Sequence, residues 1–433
     1  MTRNTSSISG KNGAAFRSGS PTCRTAVCRC PARTATATYP TPISRSKSSK
    51  PVVLHYDLAS CITASSYRNR RLSPTVLQGR VAGPAKLMVG VPLRPVSAAI
   101  CVPVRNEETA LPKLLEAIGR LDLGDVEAAV FFLLDDCSDA SEQVILEHAG
   151  RMALPFTVAQ GDPCPDANAG RARRAAIALG LHHATSTPHG ILLTTDADSQ
   201  PRADWVRAAL QGLASADLVA GRIVRIAAER DPVQGRVERY LDRLHAYRRS
   251  VDPVPWDSPT GSHCSGGANM AFRPGAYQAL GGFQPVPCGE DAALLDDAGR
   301  AGFRVRRDPG MVVATSSRRL GRAPGGMAAA LSAIDHHGAP SMPHPRGAAW
   351  QYRQQAEARR IWAGLPDSFV AARFGDRIGL TGDHVIGVAR DCPNAEAFAM
   401  RVVPALPDIP DVTLVEAEHA LATLENQLCE QAV

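Results

Sequence analysis

Two aspartates one residue apart follow a short apolar run at residues 191–199, which read Ile-Leu-Leu-Thr-Thr-Asp-Ala-Asp-Ser. The run is typical of a buried strand that brings Asp196 and Asp198 to the edge of a sheet. Ligands of open α/β sheets bind beyond the carboxyl ends of the strands, so these carboxylates lie where a ligand would bind. Mg²⁺ is commonly held by one or two carboxylates, with water and substrate phosphates completing its shell. A solvated turn explains the same pair equally well.

Two further strands are predicted to end at the same edge. Residues 98–102 are apolar and are followed by Pro-Val-Arg-Asn-Glu-Glu at 103–108, and the apolar run 128–134 is followed by Asp135 and Asp136. A helix with apolar residues at a spacing of three and four separates the two runs. Alternating strands and helices predict a parallel sheet, in which Asp136 and Asp198 project from one edge.

At three other places in the sequence the residues could do chemistry, but each place also has a structural explanation. Arg171 and Arg173 lie at the predicted start of a helix over 172–181, where they could reach phosphates or form an exposed basic turn. The pair at 266–267, Gly-Gly, indicates either a close approach of backbone to ligand or a tight turn. Glu290 and Asp291 open a predicted helix, where capping and the helix dipole explain them as well as catalysis does.

Charge is distributed unevenly along the 433 residues. Residues 1–100 hold 15 of the 48 Lys and Arg and one of the 42 Asp and Glu, a net charge of +14. The remaining 33 basic and 41 acidic residues give the rest of the chain a net charge of −8. An acidic body argues against nucleic-acid binding, which requires basic charge on the domain itself. No apolar run approaches the roughly 18 residues of a transmembrane helix, so we expect a soluble body.

The N-terminal residues 1–85 are rich in Ser, Thr, Arg and Pro and show no helix or strand period, so we expect a disordered basic tail. An organelle transit peptide, or translation that starts at Met88, are alternatives that the composition leaves open. The 11 cysteines include no Cys-x-x-Cys pair, which favours a reducing compartment and predicts a cytoplasmic location.

The ordered set of motifs resembles the family 2 glycosyltransferases of GT-A fold. These motifs are Pro-Val-Arg-Asn-Glu-Glu, Asp-Asp-x-Ser-Asp, Asp-Ala-Asp, Gly-Gly-Ala-Asn-x-Ala-Phe-Arg, Gly-Gly-Phe and Glu-Asp, and they span residue 98 to about residue 320. The resemblance implies a nucleotide-sugar donor, usually a UDP- or GDP-sugar. It implies that Pro103, Arg105 and Glu107 line the nucleoside pocket, that Asp136 accepts a hydrogen bond from the base, and that Asp196 lies near the ribose.

The same resemblance implies a metal and a base. Asp198 would ligate Mg²⁺ or Mn²⁺ on the diphosphate, and Asp291 of the Glu290–Asp291 pair would deprotonate the acceptor hydroxyl. Processive synthases of the family carry a Gln-x-x-Arg-Trp motif and membrane helices, and this sequence contains neither. In place of that motif stands Ser-Ser-Arg-Arg-Leu-Gly-Arg at 316–322, whose arginines could clamp a diphosphate or an anionic acceptor, or could form an exposed basic loop.

Taken together, the sequence predicts an α/β protein with a mostly parallel GT-A sheet over residues 86–327 and a small helical extension over 328–433. Residues 351–362 and 413–428 are predicted helices, residues 369–389 show little pattern, and His336, His337 and His344 are predicted in a solvated loop. The predicted activity is metal-dependent, inverting glycosyl transfer to an acceptor that the sequence does not identify. A nucleotidyltransferase and a catalytically silent nucleotide-sugar-binding protein are the alternatives. The sequence gives no oligomeric state.

Overall fold

The computed structural model describes residues 96–149, 152–162, 168–227, 230–261, 266–321, 325–365, 367–405 and 409–431. The predicted tail over 1–85 and the candidate start at Met88 lie outside the described residues, and the boundaries predicted at 86, 327 and 328 stay predictions.

Four parallel strands form one half of the sheet. They are β1 (Val96–Val104), β2 (Val126–Leu134), β3 (Phe156–Gln160) and β4 (Ile191–Thr194), in the spatial order β3-β2-β1-β4. On β1, Ala98, Ile100 and Val102 face one apolar core while Ala99 and Cys101 face the other, because side chains alternate along a strand. A strand buried on both faces explains the continuous apolar run that the sequence shows.

The other half of the sheet is mixed. It contains β5 (Ser199–Pro201), β6 (Leu218–Arg225), β7 (Met270–Phe272) and β8 (Val305–Thr315), and the whole sheet runs β3-β2-β1-β4-β7-β6-β8-β5. Strand β7 is antiparallel to β4 and β6, whereas β6 and β8 are parallel. The predicted α/β sheet flanked by helices is confirmed, with antiparallel pairs at β7 and β5.

The described residues place these helices among the strands: α1 (Leu111–Gly119), α2 (Ser141–Ala149), α3 (Ala169–Ala184), α4 (Trp205–Leu213), α5 (Pro232–Val251), α6 (Pro274–Ala279) and α7 (Glu290–Ala301). Helices α1, α2 and α4 pack on one face of the sheet, and α3, α6 and α7 pack on the other. Helix α4 is preceded by a short edge strand. Ser199–Pro201 pairs with β8 as an edge strand, and the helix begins only at Trp205.

Six more helices follow: α8 (Met327–His337), α9 (Pro345–Ile361), α10 (Ser368–Ile378), α11 (Gly382–Arg390), α12 (Ala395–Val402) and α13 (Leu414–Gln431). The predicted helical C-terminal region is therefore present. Leu414 and Leu421 of α13 pack with Tyr240 of α5 and Tyr352 of α9, so one face of α13 packs on the body. No helix among the described residues is long and apolar enough to cross a membrane.

One prediction for the C-terminal residues was wrong. Residues 369–389, for which the pattern gave no prediction, belong to α10 and α11. His336 and His337 are exposed as predicted, but they lie in the last turn of α8 rather than in a loop, and His344 caps the start of α9.

Candidate active site at the carboxyl edge of the sheet

The register of the paired strands brings the predicted site residues to one edge of the sheet. Val104 at the end of β1 pairs with Leu134 at the end of β2, and Cys101 pairs with Thr194 at the end of β4. The segments that follow these three strands therefore leave the sheet side by side. We call the acidic side chains gathered there, with those at the start of α7, the carboxylate edge: Glu107, Asp135, Asp136, Asp196, Asp198, Glu290 and Asp291.

The segments after β1 and β2 are tied together by hydrogen bonds. The backbone N–H of Ser138 donates to Asn106 Oδ1 at 2.7 Å, and the N–H of Glu107 donates to Ser141 Oγ at 2.8 Å. Asn106 and Asp136 both adopt the left-handed region, with φ of 53° and 55°. Such backbone conformations in non-glycine residues occur at sites where the surrounding structure holds them, and binding sites are enriched in them.

Arg105 faces the two aspartates that follow β2. Its guanidinium lies 3.8 Å from Asp135 and 3.5 Å from Asp136, and the Asp136 side chain is 62% exposed. Burial raises the pKa of Asp135, and Arg105 and Arg171 partly offset that rise. The exposed carboxylate of Asp136 is therefore accessible to a ligand. Pro103 is half-buried within β1, one pair before the end of the strand.

Arg171 lies in the first turn of α3 and points toward the same aspartates. Asn168 caps this helix by accepting a hydrogen bond from the Arg171 N–H at 2.9 Å. The Arg171 guanidinium donates from Nη2 to the carbonyl of Asp162 at 3.0 Å, while its buried Nη1 has no hydrogen-bond partner. A buried donor without a partner at a helix N-terminus is suited to an anionic ligand.

Arg318 joins the segment after β1 to the segment after β4. Its guanidinium donates two hydrogen bonds to the buried Glu107, at 2.6 and 2.7 Å, and lies 3.2 Å from Asp198. The next residue, Arg319, pairs with Asp231 and Asp335. Of the alternatives for the 316–322 segment, an exposed basic loop is wrong for these two arginines, because both are engaged in ion pairs.

Asp198 has room and electrostatic reason to take a cation. Its side chain is 15% exposed, and its Oδ1 accepts a long hydrogen bond of 3.5 Å from Thr315 Oγ1. Burial, together with repulsion from Asp196 and Glu107, raises the pKa of Asp198 to about 6 although Arg318 opposes the rise. Among the described residues no group of three or more His, Cys, Asp and Glu side chains could hold a metal ion. The Asp198 carboxylate is an oxygen donor of the kind that Mg²⁺ takes together with waters and substrate oxygens.

Arg173 links the two sides of the carboxylate edge. This buried guanidinium donates to Asp196 Oδ1 at 2.6 Å and to Glu290 Oε1 at 3.2 Å. Burial lowers the pKa of Arg173, but the two carboxylates outweigh burial and raise it. Burial also raises the pKa of Glu290, which is 3% exposed, and Arg173 opposes that rise. One permanent cation thus fixes the spacing between the Asp196 segment and the start of α7.

Gly267 makes this bridge possible. A Cβ atom at residue 267 would lie 2.3 Å from the Arg173 guanidinium carbon, far inside van der Waals contact. The close approach that the glycine pair indicates is therefore to a side chain of the protein itself. Asn269 has a structural role as well, because its side chain accepts from Trp205 Nε1 and donates to the carbonyls of Arg222 and Met311, each at 2.8 Å.

Asp291 is held by backbone donors at the N-terminus of α7. Its Oδ2 accepts from the Gly267 N–H at 2.7 Å, and its Oδ1 accepts from the Ala292 N–H at 2.7 Å. The residue is half-buried, so the carboxylate keeps a fixed orientation and access to a ligand. The predicted residues Arg105, Asp136, Asp196, Asp198 and Asp291 are thus brought to one edge. The bridging roles of Arg173 and Arg318 were not predicted, and Gly267 was the only local signal for the first of them.

Part of the chain is similar to a known family. Residues 99–275 match the model of glycosyl transferase family 2. No curated protein shows significant similarity to the chain.

Solved structures give distant likenesses. TarS residues 1–349 from S. aureus, in complex with UDP-GlcNAc, is 14% identical with a TM-score of 0.40, over 71% of this chain and 90% of that one. The mannosyltransferase PcManGT from Pyrobaculum calidifontis, in complex with GDP-Man and Mn²⁺, is 18% identical with a TM-score of 0.39, over 72% and 87%. Glucosyl-3-phosphoglycerate synthase from Mycobacterium tuberculosis is 18% identical with a TM-score of 0.36, over 58% and 82%. Residues 99–275, which carry strands β1 to β7, are thus similar to glycosyl transferase family 2.

Proposed function

We propose that the protein transfers a sugar from a UDP- or GDP-sugar to an acceptor hydroxyl, with inversion and with a divalent metal. The observation that carries the proposal is the Arg173 bridge between Asp196 and Glu290. The bridge holds the residues proposed to bind the donor at a fixed distance from Asp291. A transferase needs this arrangement, because donor and acceptor must meet in one geometry.

The donor is proposed to lie along the carboxyl ends of β1, β2 and β4. Arg105, Glu107 and Pro103 border the nucleoside, and the exposed carboxylate of Asp136 accepts a hydrogen bond from the base. Asp196 lies near the ribose. The unpartnered Nη1 of Arg171, at the start of α3, is available to a phosphate oxygen.

Asp198 is proposed to hold Mg²⁺ or Mn²⁺. Support comes from the three acidic groups that crowd Arg318 and from the raised pKa of Asp198, since a divalent cation relieves both. When bound, the metal supplies positive charge that stabilises the leaving diphosphate. Arg318 pairs with Asp198 in this structure and therefore lies near the proposed diphosphate position. It is proposed to turn its guanidinium toward the diphosphate.

Asp291 is proposed as the general base. Its two backbone hydrogen bonds orient the carboxylate, and its remaining lone pairs are free to accept the proton of the acceptor hydroxyl. A positioned base contributes about 10²–10⁴-fold to the rate. A single displacement by the activated hydroxyl inverts the anomeric centre, and no second carboxylate is needed as nucleophile. Glu290 is buried against Arg173, so we assign it to positioning this base and not to proton transfer.

Turnover of a panel of UDP- and GDP-sugars with Mn²⁺ or Mg²⁺ tests the proposal. The protein is incubated with each donor and a mixture of candidate acceptors, and the released nucleotide is identified. Release of UDP or GDP that depends on metal and falls in Asp291→Asn is the expected result. Release of pyrophosphate from a nucleoside triphosphate would identify a nucleotidyltransferase instead. Donor binding without any turnover across the acceptor mixtures would favour the silent binding protein.

A further inference from the structure

A second cavity lies away from the carboxyl ends of β1, β2 and β4. It has a volume of about 290 Å³ and is enclosed by the end of α5, the segment that follows it, one face of α7, the start of β8, and helices α9 and α12. Five arginines line it, against three acidic side chains. We call it the arginine cavity: Arg248, Arg249, Arg300, Arg307 and Arg359, with Asp257, Asp296 and Glu396.

Arg249 is buried in this cavity without a hydrogen bond to a carboxylate. The residue is 6% exposed, and its guanidinium lies 3.6 Å from Asp252 and 3.6 Å from Asp257, beyond hydrogen-bond distance. Its Nε is buried and has no hydrogen-bond partner. Burial and the neighbouring Arg248 lower the pKa of Arg249 to about 10. A buried N–H donor without a hydrogen bond is costly in a protein interior, so a buried guanidinium in this state indicates a binding partner.

The nearby carboxylates are committed to other groups. Asp252 accepts from Arg359 Nη1 at 2.6 Å, and Arg359 also donates to Glu396 at 2.7 Å. Asp257 Oδ1 accepts from the backbone N–H groups of Ser258 and Arg307, at 2.9 and 2.7 Å. These contacts draw the acidic groups toward Arg359 and the backbone, and the guanidinium of Arg249 receives only the two contacts at 3.6 Å.

Arg248 also lines the cavity, and no ion pair joins it to a carboxylate of the described residues. It donates from Nη2 to Gln355 Oε1 at 3.3 Å and lies over the Tyr352 ring, 5.1 Å from its centroid, while its buried Nε has no partner. Arg248 and Arg249 are consecutive on α5 and repel each other. A water molecule could accept from one Nε, but it carries no negative charge to offset two adjacent guanidinium groups.

We propose that the arginine cavity binds a small anion, the phosphate or carboxylate group of a metabolite, between Arg248 and Arg249. Guanidinium groups recognise these planar or tetrahedral anions with paired hydrogen bonds. The cavity volume is close to the lower end of the range for small-molecule sites, about 300 Å³, so it suits a compact ligand. This site goes beyond sugar transfer and does not depend on the identity of the donor.

Isothermal titration calorimetry of the full chain with inorganic phosphate tests the site, and succinate provides a carboxylate in a parallel arm. Both titrations are repeated with saturating UDP and Mn²⁺, so that binding to a diphosphate pocket is detected by competition. Arg248→Gln is the test variant because Arg248 is only half-buried. Arg300→Gln is the matched control, since Arg300 lines the same cavity but pairs with Asp296 at 2.5 Å.

We expect saturable binding of at least one anion to the wild type, unaffected by UDP. Affinity should fall at least ~10-fold in Arg248→Gln, because charge-assisted hydrogen bonds are lost, and should be unchanged in Arg300→Gln. Circular dichroism establishes that each variant is folded, and Arg248→Lys, which keeps the charge, should bind more tightly than Arg248→Gln. Absence of saturable binding of both anions, equal affinity in Arg248→Gln, or full competition by UDP would each overturn the proposal.

Discussion

The carboxylate edge and the arginine cavity are opposites in charge and in pairing. At the edge, seven acidic side chains meet four arginines, Arg105, Arg171, Arg173 and Arg318, and three of these arginines each face two carboxylates. In the cavity, five arginines meet three acidic side chains, and Arg248 and Arg249 have no hydrogen-bonded carboxylate.

This difference distinguishes a cation site from an anion site, which the overall composition of the sequence does not separate. Excess carboxylate at the end of parallel strands fits a cation that the substrate brings or shares. Excess guanidinium between packed helices fits an anion. The net charge of −8 over residues 101–433 hides both, because the two local excesses have opposite signs.

Loss of the proposed base should have the largest effect on turnover. The effect should be confined to the carboxylate edge. Asp291→Asn keeps the shape of the side chain but cannot accept a proton, so turnover should fall by about 10²–10⁴-fold. Binding of UDP and Mn²⁺, and of phosphate in the arginine cavity, should stay near the wild-type values. Steady-state kinetics and calorimetry measure these quantities. Turnover close to the wild-type rate would place the base elsewhere.

Loss of the proposed metal ligand should weaken donor binding. Asp198→Asn removes a charged oxygen ligand, and we expect Mn²⁺-dependent UDP affinity to fall by at least ~10²-fold, more than the 10–100-fold that an outer-shell change costs. Phosphate binding in the arginine cavity should not change. Equal affinity for UDP with Mn²⁺ in the variant and the wild type would remove Asp198 from the metal site.

The Arg173 bridge can be broken without touching a charge. Gly267→Ala places a Cβ atom against the buried guanidinium, and we expect it to destabilise the fold by about 1–3 kcal/mol and to slow turnover. Gly275→Ala is the matched control, because a Cβ atom there meets nothing within 4 Å. Thermal denaturation of both variants tests this. A melting temperature for Gly267→Ala equal to that of Gly275→Ala would mean that the bridge tolerates displacement.

The smallest effect concerns His245, which lies beside Asp257 at the arginine cavity. Burial lowers the pKa of His245, and its Nε2–H donates to the Ser258 carbonyl at 2.9 Å. The unfolded chain therefore binds more protons than the folded one below about pH 6.5, and folding stability should fall as pH drops through that range. His245→Gln should reduce this slope by at most about 1.4 kcal/mol per pH unit. An unchanged slope in denaturant titrations at pH 5 and 6.5 would contradict it.

Local pattern was enough to predict β1, β2 and β4 and the sheet edge at which they end. The apolar runs of β1, β2 and β4 end in polar residues, and strand length and ligand position follow from that. Short elements were harder. Strand β5 exists only because Ser199–Pro201 pairs with β8, more than a hundred residues away, and α10 is signalled only by its cap, Asp367, and by Gly379 at its end.

Pairing of charges could not be predicted. Arg173 is 117 residues from Glu290 in sequence, and Arg318 is 211 residues from Glu107. No sequence spacing encodes such contacts, which depend on the order of strands in the sheet. The arginine cavity is hidden for the same reason, since its cations come from α5, α7, α9 and the start of β8.

We propose above all that the carboxylate edge binds a divalent metal together with the donor nucleotide. Crystals grown with UDP and Mn²⁺ and measured at the manganese absorption edge test it most directly. We expect an anomalous peak about 2.0–2.3 Å from a carboxylate oxygen of Asp198, with the UDP diphosphate beside it. UDP bound without an anomalous peak at Asp198, or a peak held by other residues, would contradict it.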